Sequence, residues 1–420
     1  MGAPTPSPGA IHGRFATWLT GEGVRIASIA LLLDGFCAFL NREGFDIRRC
    51  NLATDTVHPQ MSAMRHVWFS QAGEPTPVNP AVLESRRQYH VGEAMIDEVF
   101  FNAGATKNPQ YLASPFYRIE QDGELYELIR PAGEAQAFPV FDDLARDGCT
   151  GYFGLRLASF GRMLQSIGMA TGREGGLSAA QIDDLRSCAS LLTLHVNTLV
   201  EASIKATLAR VYIGQDQGER VCAGMITLGN VISMEAALWF SDLRDFTAAS
   251  ERLDPEQLLQ LLNDYFAVVT PVIYGAGGEV LKYIGDAILA VFPASNFAGP
   301  GEACRAALAA VWQVTTALEA LNARRATAGL EPVRHGIGLH YGDGQYGNIG
   351  TRERLDFTLI GRAVNIASRI EGMTKELGHP VLCTAAFAEL SGAGMTVLGD
   401  FALRGVAGPT TIGVPSLAVG

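Results

Sequence analysis

The fold is decided by residues 236–292, a stretch that opens with AALWFSDLRDFTAAS (236–250) and closes with GGEVLKYIGDAILAVF (277–292). Asp242 and Asp286 each follow an apolar run that is typical of a buried strand. We expect both carboxylates at one edge of a packed sheet, where they can bind Mg²⁺ or Mn²⁺. A pair of such metal ions can act on the attacking and leaving oxygens of a phosphoryl displacement. The alternatives are a helix cap for Asp242 and a turn residue for Asp286.

Length and composition limit the class of protein. A chain of 420 residues is longer than one typical core, so we expect two domains. The content of 48% hydrophobic and 18% charged residues is typical of a globular protein, and the net charge of −11 argues against a nucleic-acid partner. No run approaches the roughly 20 apolar residues that span a bilayer, so no membrane span is expected.

Cysteine usage and the opening residues predict the compartment. The 7 cysteines are scattered without a CxxC spacing, which favours reduced thiols over a disulfide framework or a zinc site. The opening residues lack the apolar segment of an export signal. We therefore expect a cytoplasmic protein.

The first half of the chain is similar to a sensory domain in the order of its predicted elements. Residues 1–14 are rich in Pro, Gly and Ser and are predicted to be disordered. Within residues 15–177 we expect a helix over 15–40, strands from residue 45 onward, and a hairpin that turns at 159–162. This α/β order resembles that of GAF domains, which implies an unknown small-molecule or ion signal.

A long helix is predicted to connect the two domains, within a signalling helix and linker over residues 178–233. Ser178 and Gln181 form the capping box S-x-x-Q, and helical spacing continues to about residue 213. One interpretation is a signalling helix that pairs with its copy in a dimer. The alternative is a packed terminal helix, and in either case we expect residues 216–233 to be a connector.

The second half resembles the catalytic domain of class III nucleotide cyclases. Three blocks carry the resemblance, in the order and spacing of that family: FSDLR at 240–244, KYIGD at 282–286, and GRAVNIASR at 361–369. The resemblance covers residues 234–420 and implies the ferredoxin-like α+β order strand-helix-strand-strand-helix-strand. It also implies two metal ions per active site, bound by Asp242 and Asp286.

The resemblance gives a role to five further side chains. Asn365 would orient the ribose, and Arg369 would neutralise charge on the transferring phosphate, since a guanidinium matches phosphate oxygens. Lys282 and Thr358 occupy the positions that select the base, and this pair indicates ATP and the Thr-bearing subgroup, some members of which respond to bicarbonate. Arg404 stands where the family usually has a lysine for the triphosphate.

The phosphate region departs from the family at one position. The main chain from 243 to 247, with Phe246 and Thr247, precedes a helix, so its free N–H groups can hold phosphate oxygens. Asp245 stands where the family commonly has Gly; it can adopt a left-handed conformation but adds a negative charge. Arg362 stands where many relatives have Asp, and no role is assigned to it.

Two other features are not expected to bind cofactors. Residues 342–347 match G-x-G-x-x-G, but a polar segment follows them instead of a helix, so we interpret them as the turn of a dimer-facing hairpin. His58, His66 and His90 are candidate cofactor ligands, and the interpretation that we favour is that each is exposed or satisfied within the fold.

The sequence therefore predicts a cytoplasmic, homodimeric adenylyl cyclase whose N-terminal domain controls the arrangement of the catalytic domains. The resemblance implies that one protomer supplies the two aspartates of each site and that the other supplies Lys282, Thr358, Asn365, Arg369 and Arg404. Two alternatives stay open: a guanylyl cyclase, and a catalytically silent module that binds nucleotide.

Overall fold

The chain forms two compact units, Met1–Leu208 and Ala209–Gly420. Each unit has its own sheet and its own hydrophobic core. No helix of the described residues is both long enough and apolar enough to cross a bilayer. The structure, a computed structural model, describes residues 10–58, 60–71, 77–159 and 164–416.

The first unit is built on an antiparallel sheet, whose described residues form seven strands in the order β3-β4-β2-β1-β7-β6-β5. The strands are β1 (Ile47–Asp55), β2 (Ala63–Phe69), β3 (Leu83–Val91), β4 (Ala94–Phe101), β5 (Glu124–Leu128), β6 (Gly151–Leu157) and β7 (Gln165–Thr171). The helices that begin in this unit are α1 (Ala10–Gly21), α2 (Ile29–Arg42), α3 (Pro109–Leu112), α4 (Pro115–Asp122), α5 (Val140–Arg146) and α6 (Ala179–Ile213).

The two faces of this sheet are covered by different helices. Cys50 and Leu52 of β1 belong to a core that is completed by apolar residues of α1, α2 and α6. A separate cluster on α4, α5 and the neighbouring strands packs around Phe141 and Tyr152. Alternation along β1 directs its remaining side chains toward a cavity, which is described below.

The start of the first unit differs from the sequence prediction. The single helix predicted over 15–40 is wrong: α1 ends at Gly21, and α2 begins after Ser28. The reason is a helix cap, because the Ser28 hydroxyl accepts a hydrogen bond from the Leu31 N–H at 3.5 Å. α1 already begins at Ala10, within the segment predicted to be disordered.

Other predictions for this unit have mixed outcomes. The two predicted hairpin strands are present as β6 and β7, which pair antiparallel. Residues 1–9 and the predicted hairpin-turn residues 160–162 lie outside the described residues. The resemblance to GAF domains stays a prediction.

The long helix α6 is confirmed, and its cap is the one that the sequence indicates. The Ser178 N–H donates to Gln181 Oε1 at 3.1 Å, and the Gln181 N–H donates to the Ser178 hydroxyl at 3.4 Å. Leu185, Leu192 and Val196 of this helix are buried in the core of the first unit. That packing accounts for much of the apolar pattern, and helix pairing in a dimer stays a prediction.

The second unit contains a sheet of eight strands in its described residues, in the order β14-β15-β13-β11-β8-β10-β9, with β12 paired to β11. The strands are β8 (Val231–Leu243), β9 (Glu279–Ile284), β10 (Ala287–Pro293), β11 (His335–Gly350), β12 (Leu355–Ile360), β13 (Val381–Thr384), β14 (Met395–Ala402) and β15 (Pro409–Pro415). The helices are α7 (Gln215–Cys222), α8 (Phe246–Arg252), α9 (Pro255–Gly275), α10 (Pro300–Thr327), α11 (Arg362–Glu376) and α12 (Ala385–Ser391).

The core of this unit follows the predicted order of elements. β8, α9, β9, β10, α10 and β11 succeed one another along the chain, and the strands pair antiparallel as β11-β8-β10-β9. The predicted strand-helix-strand-strand-helix-strand arrangement is therefore confirmed. Residues of α9 and α10 pack on one sheet face around Trp239 and Phe292, and Ala363 and Ala367 of α11 pack on the other.

Two predictions about this unit are corrected. The predicted connector over 216–233 contains α7, and β8 already begins at Val231. α9 continues through Pro271 and ends at Gly275. The G-x-G-x-x-G segment at 342–347 is not a turn, because it lies inside β11 and pairs with β8 along its length.

Close approach between α11 and β11 depends on Gly338. A Cβ atom at this position would lie 2.4 Å from the Ala367 carbonyl oxygen and 2.5 Å from the Glu371 nitrogen. Both contacts are with helix backbone, so a side chain cannot be accommodated without moving α11.

We predict that Gly338→Val destabilises the second unit by about 1–3 kcal/mol, because the added methyl groups overpack the helix–sheet contact. The matched control is Gly372→Ala on α11, where an added Cβ would have no atom within 4 Å. That control should be neutral or stabilising by up to about 1 kcal/mol, since Ala favours helices over Gly. Urea unfolding of both variants measures the difference, and equal stability would contradict the close approach.

Candidate active site

The structure brings the two predicted metal-binding aspartates together. Asp242 is the penultimate residue of β8, and Asp286 occupies the two-residue turn between β9 and β10. Gly285 adopts a positive φ of 66°, which allows this tight turn. β10 pairs with β8 so that Ile288 lies opposite Ser241, and the hairpin tip therefore lies beside the end of β8.

The contact between the carboxylates changes the acidity of Asp242. Burial, then the hydrogen bond and the charge of Asp286, and then the charge of Glu371 raise the pKa of Asp242 to about 7. Two adjacent carboxylates disfavour full ionisation unless a cation lies between them. The pair therefore fits a divalent metal ion, which takes oxygen ligands and replaces the shared proton.

A buried set of polar side chains holds the end of β8 in place. Ser241 is fully buried, and its hydroxyl accepts hydrogen bonds from Trp239 Nε1 and from the Tyr265 hydroxyl, both at 2.9 Å. His335 lies 3.4 Å from the same tyrosine oxygen, and burial followed by the charge of Arg244 lowers the pKa of His335 to about 4. His335 is therefore neutral at physiological pH.

The structure adds a third carboxylate, Glu371 of α11, that sequence reasoning missed. It is 8% exposed, and burial raises its pKa. A Cβ at Gly336, which pairs with Asp242, would lie 2.5 Å from Glu371 Oε1 and 3.1 Å from Arg244 Nη2, so the acid and the arginine meet there. The available signal was periodicity, because Glu371 falls four residues after Ala367, on the buried stripe of the helix.

Asp245 adopts the left-handed conformation that the sequence analysis allowed, with φ 59° and ψ 26°. Its carboxylate lies 2.9 Å from Lys375 Nζ and 3.4 Å from Arg334 Nη2. The Lys375 hydrogen bond and charge lower the pKa of Asp245. The extra negative charge at this departure from the family is therefore paired, and Phe246 and Thr247 follow it as the first residues of α8.

The predicted phosphate and ribose side chains lie on α11 and on a nearby loop. Asn365 is exposed and Arg369 is half-buried, one helical turn apart on α11. A Cβ at Gly405 would lie 3.7 Å from Arg369 Nη1, so the loop that follows the exposed Arg404 contacts this guanidinium. Arg362, which was given no role, donates to the Ala407 carbonyl at 3.2 Å.

The predicted base-selecting residues lie on β9 and β12. Lys282 Nζ forms an ion pair with Asp356 Oδ2 at 2.5 Å, a partner that sequence reasoning missed. Thr358 is two residues further along β12 and is 8% exposed, whereas the Asp356 side chain is 63% exposed. Because side chains two apart in a strand share a face, Lys282 and Thr358 lie on one surface.

Within the described part of one chain, no hydrogen bond or ion pair joins these groups of predicted site residues to one another. The described residues also contain no cluster of three or more His, Cys, Asp or Glu side chains arranged to bind a metal ion. His66 is buried and lies 3.4 Å from Glu98, and His58 accepts a hydrogen bond from the Gln60 N–H.

Comparison with known proteins finds similarity to one protein family within the second unit. Residues 232–406 match the family model of the adenylate and guanylate cyclase catalytic domain. Adenylate cyclase 1 of Rhizobium meliloti is 36% identical over 154 residues, which are 36% of this chain and 23% of that protein. Adenylate cyclase of Anabaena cylindrica is 39% identical over 163 residues, 38% of this chain and 31% of that protein. The chain thus spans less than a third of the length of either relative.

Solved structures include similar chains. The guanylyl cyclase Cya2 is 30% identical, over 44% of this chain and 93% of that chain, with a TM-score of 0.39. The adenylyl cyclase CyaB from P. aeruginosa is 26% identical, over 44% of this chain and 95% of that chain, with a TM-score of 0.41. The sequence matches support a catalytic domain of the class III adenylyl and guanylyl cyclases within residues 232–406.

We predict that Asp286→Ala stabilises the metal-free protein, because it removes a negative charge that opposes ionisation of Asp242. Mn²⁺ should raise the free energy of unfolding of the wild-type protein and should have little effect on the variant. The control is Asp356→Ala, which removes an exposed carboxylate with a cation partner and should change stability by less than about 1 kcal/mol. Urea unfolding with EDTA or Mn²⁺ measures both effects; a destabilised Asp286→Ala in EDTA would contradict the repulsion.

Proposed function

We propose that the protein is an adenylate cyclase that converts ATP to 3′,5′-cyclic AMP and pyrophosphate. The observation that carries the proposal is the contact between Asp242 and Asp286 at the end of β8, because it gives two converging carboxylates for divalent cations. The identity of 36% and 39% to two curated adenylate cyclases supports the same activity.

The proposed reaction is an attack of the ribose 3′-hydroxyl oxygen on the α-phosphorus. The bond between the α-phosphorus and the bridging oxygen breaks, and pyrophosphate leaves with that electron pair. Asp242 and Asp286 would hold two Mg²⁺ or Mn²⁺ ions, which when bound lower the pKa of the 3′-hydroxyl and neutralise the triphosphate. Most of the rate then comes from positioning and from preorganised charge.

Side chains of α11 and of the loop after β14 would complete the phosphate site. Asn365 would fix the ribose, and Arg369 would stabilise the charge that grows on the transferring phosphate. Arg404 and the first residues of α8, Phe246 and Thr247, would contact the triphosphate. The pairing of Asp245 with two cationic side chains supports this assignment, because it limits the repulsion of phosphate.

Base selection would depend on Lys282 and Thr358. A lysine can donate a hydrogen bond to adenine N1, and the threonine hydroxyl can accept one from the 6-amino group. Guanine presents a donor at N1, which a lysine cannot accept. This polarity favours ATP over GTP and weighs against the alternative of a guanylate cyclase; membership of the Thr-bearing subgroup is part of the proposal.

We propose a homodimer in which each active site takes residues from both protomers. Within one chain the aspartate pair shares no hydrogen bond or ion pair with the other predicted site residues, among the residues described. A C₂ dimer of this arrangement has two equivalent composite sites. A silent nucleotide-binding module is disfavoured, because Asp242, Asp286, Asn365 and Arg369 are all present.

The test is incubation of the purified protein with ATP or with GTP in the presence of Mn²⁺, followed by chromatography of the products. Formation of cyclic AMP from ATP supports the proposal, and Asp286→Ala should abolish it. Cyclic GMP as the main product would establish the guanylate cyclase alternative. Nucleotide binding without either product would establish the silent module.

We predict that Lys282→Glu combined with Thr358→Cys lowers kcat/KM for ATP and admits GTP, because Glu accepts hydrogen bonds from guanine N1 and N2. Each mismatched buried polar group should cost about 1–3 kcal/mol. Asp356→Ala, which removes only the ion-pair partner of Lys282, should keep the preference for ATP. Unchanged ATP kinetics in the double variant would show that these two positions do not select the base.

We predict complementation between two inactive variants. Asp242→Ala homodimers should be inactive, and Arg369→Ala homodimers should lose about 10²–10³-fold in kcat, the usual effect of removing one transition-state donor. In a heterodimer of the two, one site carries both lesions and the other carries neither. Co-expression should therefore restore activity, up to one wild-type site per dimer.

The complementation experiment needs two tags, so that heterodimers can be purified and verified before the assay. The control is co-expression of Asp242→Ala with Asp286→Ala, whose lesions fall in both sites when the aspartates come from the same protomer. Verified Asp242→Ala/Arg369→Ala heterodimers without activity would rule out shared sites. Regulation by the first unit and a cytoplasmic location stay predictions.

A further inference from the structure

The first unit contains a cavity of about 330 Å³ on the sheet face opposite the helices α1, α2 and α6. Strands β1, β2, β4 and β6 and helices α3, α4 and α5 contribute to its wall. Much of that wall is apolar and aromatic, including Val82, Phe101, Phe116 and Tyr152. Cavities of this size and lining are typical of small-molecule sites.

Arg65 of β2 lies in the wall of this cavity with donors that the fold does not use. Its Nε and Nη2 atoms are buried and have no hydrogen-bond partner among the described residues. Its guanidinium lies over the Phe101 ring, 5.4 Å from the centroid. A cation–π contact of this kind leaves the in-plane N–H donors free.

The neighbouring Arg86 uses the same two donor atoms, Nε and Nη2, to bind a carboxylate. Arg86 Nε and Nη2 donate to Asp97 Oδ1 and Oδ2, both at 2.7 Å, in a two-pronged contact with a carboxylate. Asp97 is 1% exposed and also accepts a bond from Gln88 Nε2 at 3.2 Å. Both oxygens of Asp97 are therefore engaged by Arg86, whereas the same two atoms of Arg65 have no partner among the described residues.

The acids of the cavity wall do not supply that carboxylate. Asp55 accepts a hydrogen bond from the Leu164 N–H at 2.8 Å, and Asp143 is paired with Arg146. Glu120, the remaining acid of the wall, accepts a hydrogen bond from the Tyr111 hydroxyl and forms no ion pair with Arg65 in the described part of the chain. Burial and then the charge of Arg49 lower the pKa of Arg65 to about 10, so it stays protonated at neutral pH.

We propose that this cavity binds a small monocarboxylate with an apolar body, whose two oxygens accept the Nε–H and Nη2–H of Arg65. The aromatic wall would cover the apolar body, and the Tyr152 hydroxyl, buried without a hydrogen-bond partner in the described residues, is a further donor at the site. A phosphate dianion is less suited, because one guanidinium edge and an apolar wall do not satisfy its additional oxygens. The proposal does not depend on the cyclase activity.

The test uses the full chain and two pairs of probes: 4-phenylbutyrate with 4-phenylbutanamide, and decanoate with decanamide. Titration calorimetry should show binding of at least one carboxylate and at least about tenfold weaker binding of its amide, since a charge-assisted two-pronged contact is lost. Phenyl phosphate serves as the phosphate arm. No carboxylate bound more tightly than its amide, or tighter binding of phenyl phosphate, would overturn the proposal.

A second measurement separates a ligand site from a structural role of Arg65. In Arg65→Met without probe, amide hydrogen exchange in β1 and β2 should slow, because a buried guanidinium with two unpaired N–H donors is costly. The same variant should lose carboxylate binding, and Arg65→Lys should weaken it by about tenfold or more, since lysine lacks the fork. The control is Arg87→Met, an exposed arginine of β3, which should change neither. Faster exchange in Arg65→Met, or retained binding, would contradict the proposal.

Discussion

The second unit depends on the antiparallel pairing of β8 with β10 on one side and with β11 on the other. Because of this register, the end of β8 lies beside the tip of the β9–β10 hairpin, and Asp242 and Asp286 are therefore in contact. The contact is unfavourable without a cation, because two carboxylates in a partly buried position resist ionisation together. The hydrophobic packing on both sheet faces stabilises the fold enough to offset this repulsion, as is common at functional sites.

Much of this unit was predictable because its signals are local. The cap at Asp254, the Gly-Asp turn before β10 and the apolar runs of the strands each specify an element, and their order specifies the topology. The interpretation of residues 342–347 as a turn was wrong. A glycine-rich motif favours a turn when only the local sequence is considered, and the pairing of this segment with β8 becomes visible only in the structure. β11 tolerates those glycines because β8 pairs with the whole of 342–347 and β12 pairs with 345–347 on the other edge.

What the sequence did not indicate are contacts between distant segments. The Lys282–Asp356 pair joins residues 74 positions apart, and nothing in either strand identifies the partner. Glu371 was visible only as an acid at a buried helical position, and its proximity to Arg244 depends on the packing of α11 against Gly336. Likewise the unused donors of Arg65 became apparent only when neighbouring strands placed Arg86, and not Arg65, on Asp97.

The ion pair between Lys282 and Asp356 also has a consequence for ligand entry. A base that accepts a hydrogen bond from Lys282 competes with a carboxylate that already pairs with this lysine. Because the Asp356 side chain is 63% exposed, the exchange should cost no more than about 1 kcal/mol. That competition is screened by salt, whereas hydrogen bonds to a neutral base are not, so higher ionic strength would favour the incoming base over the internal acid.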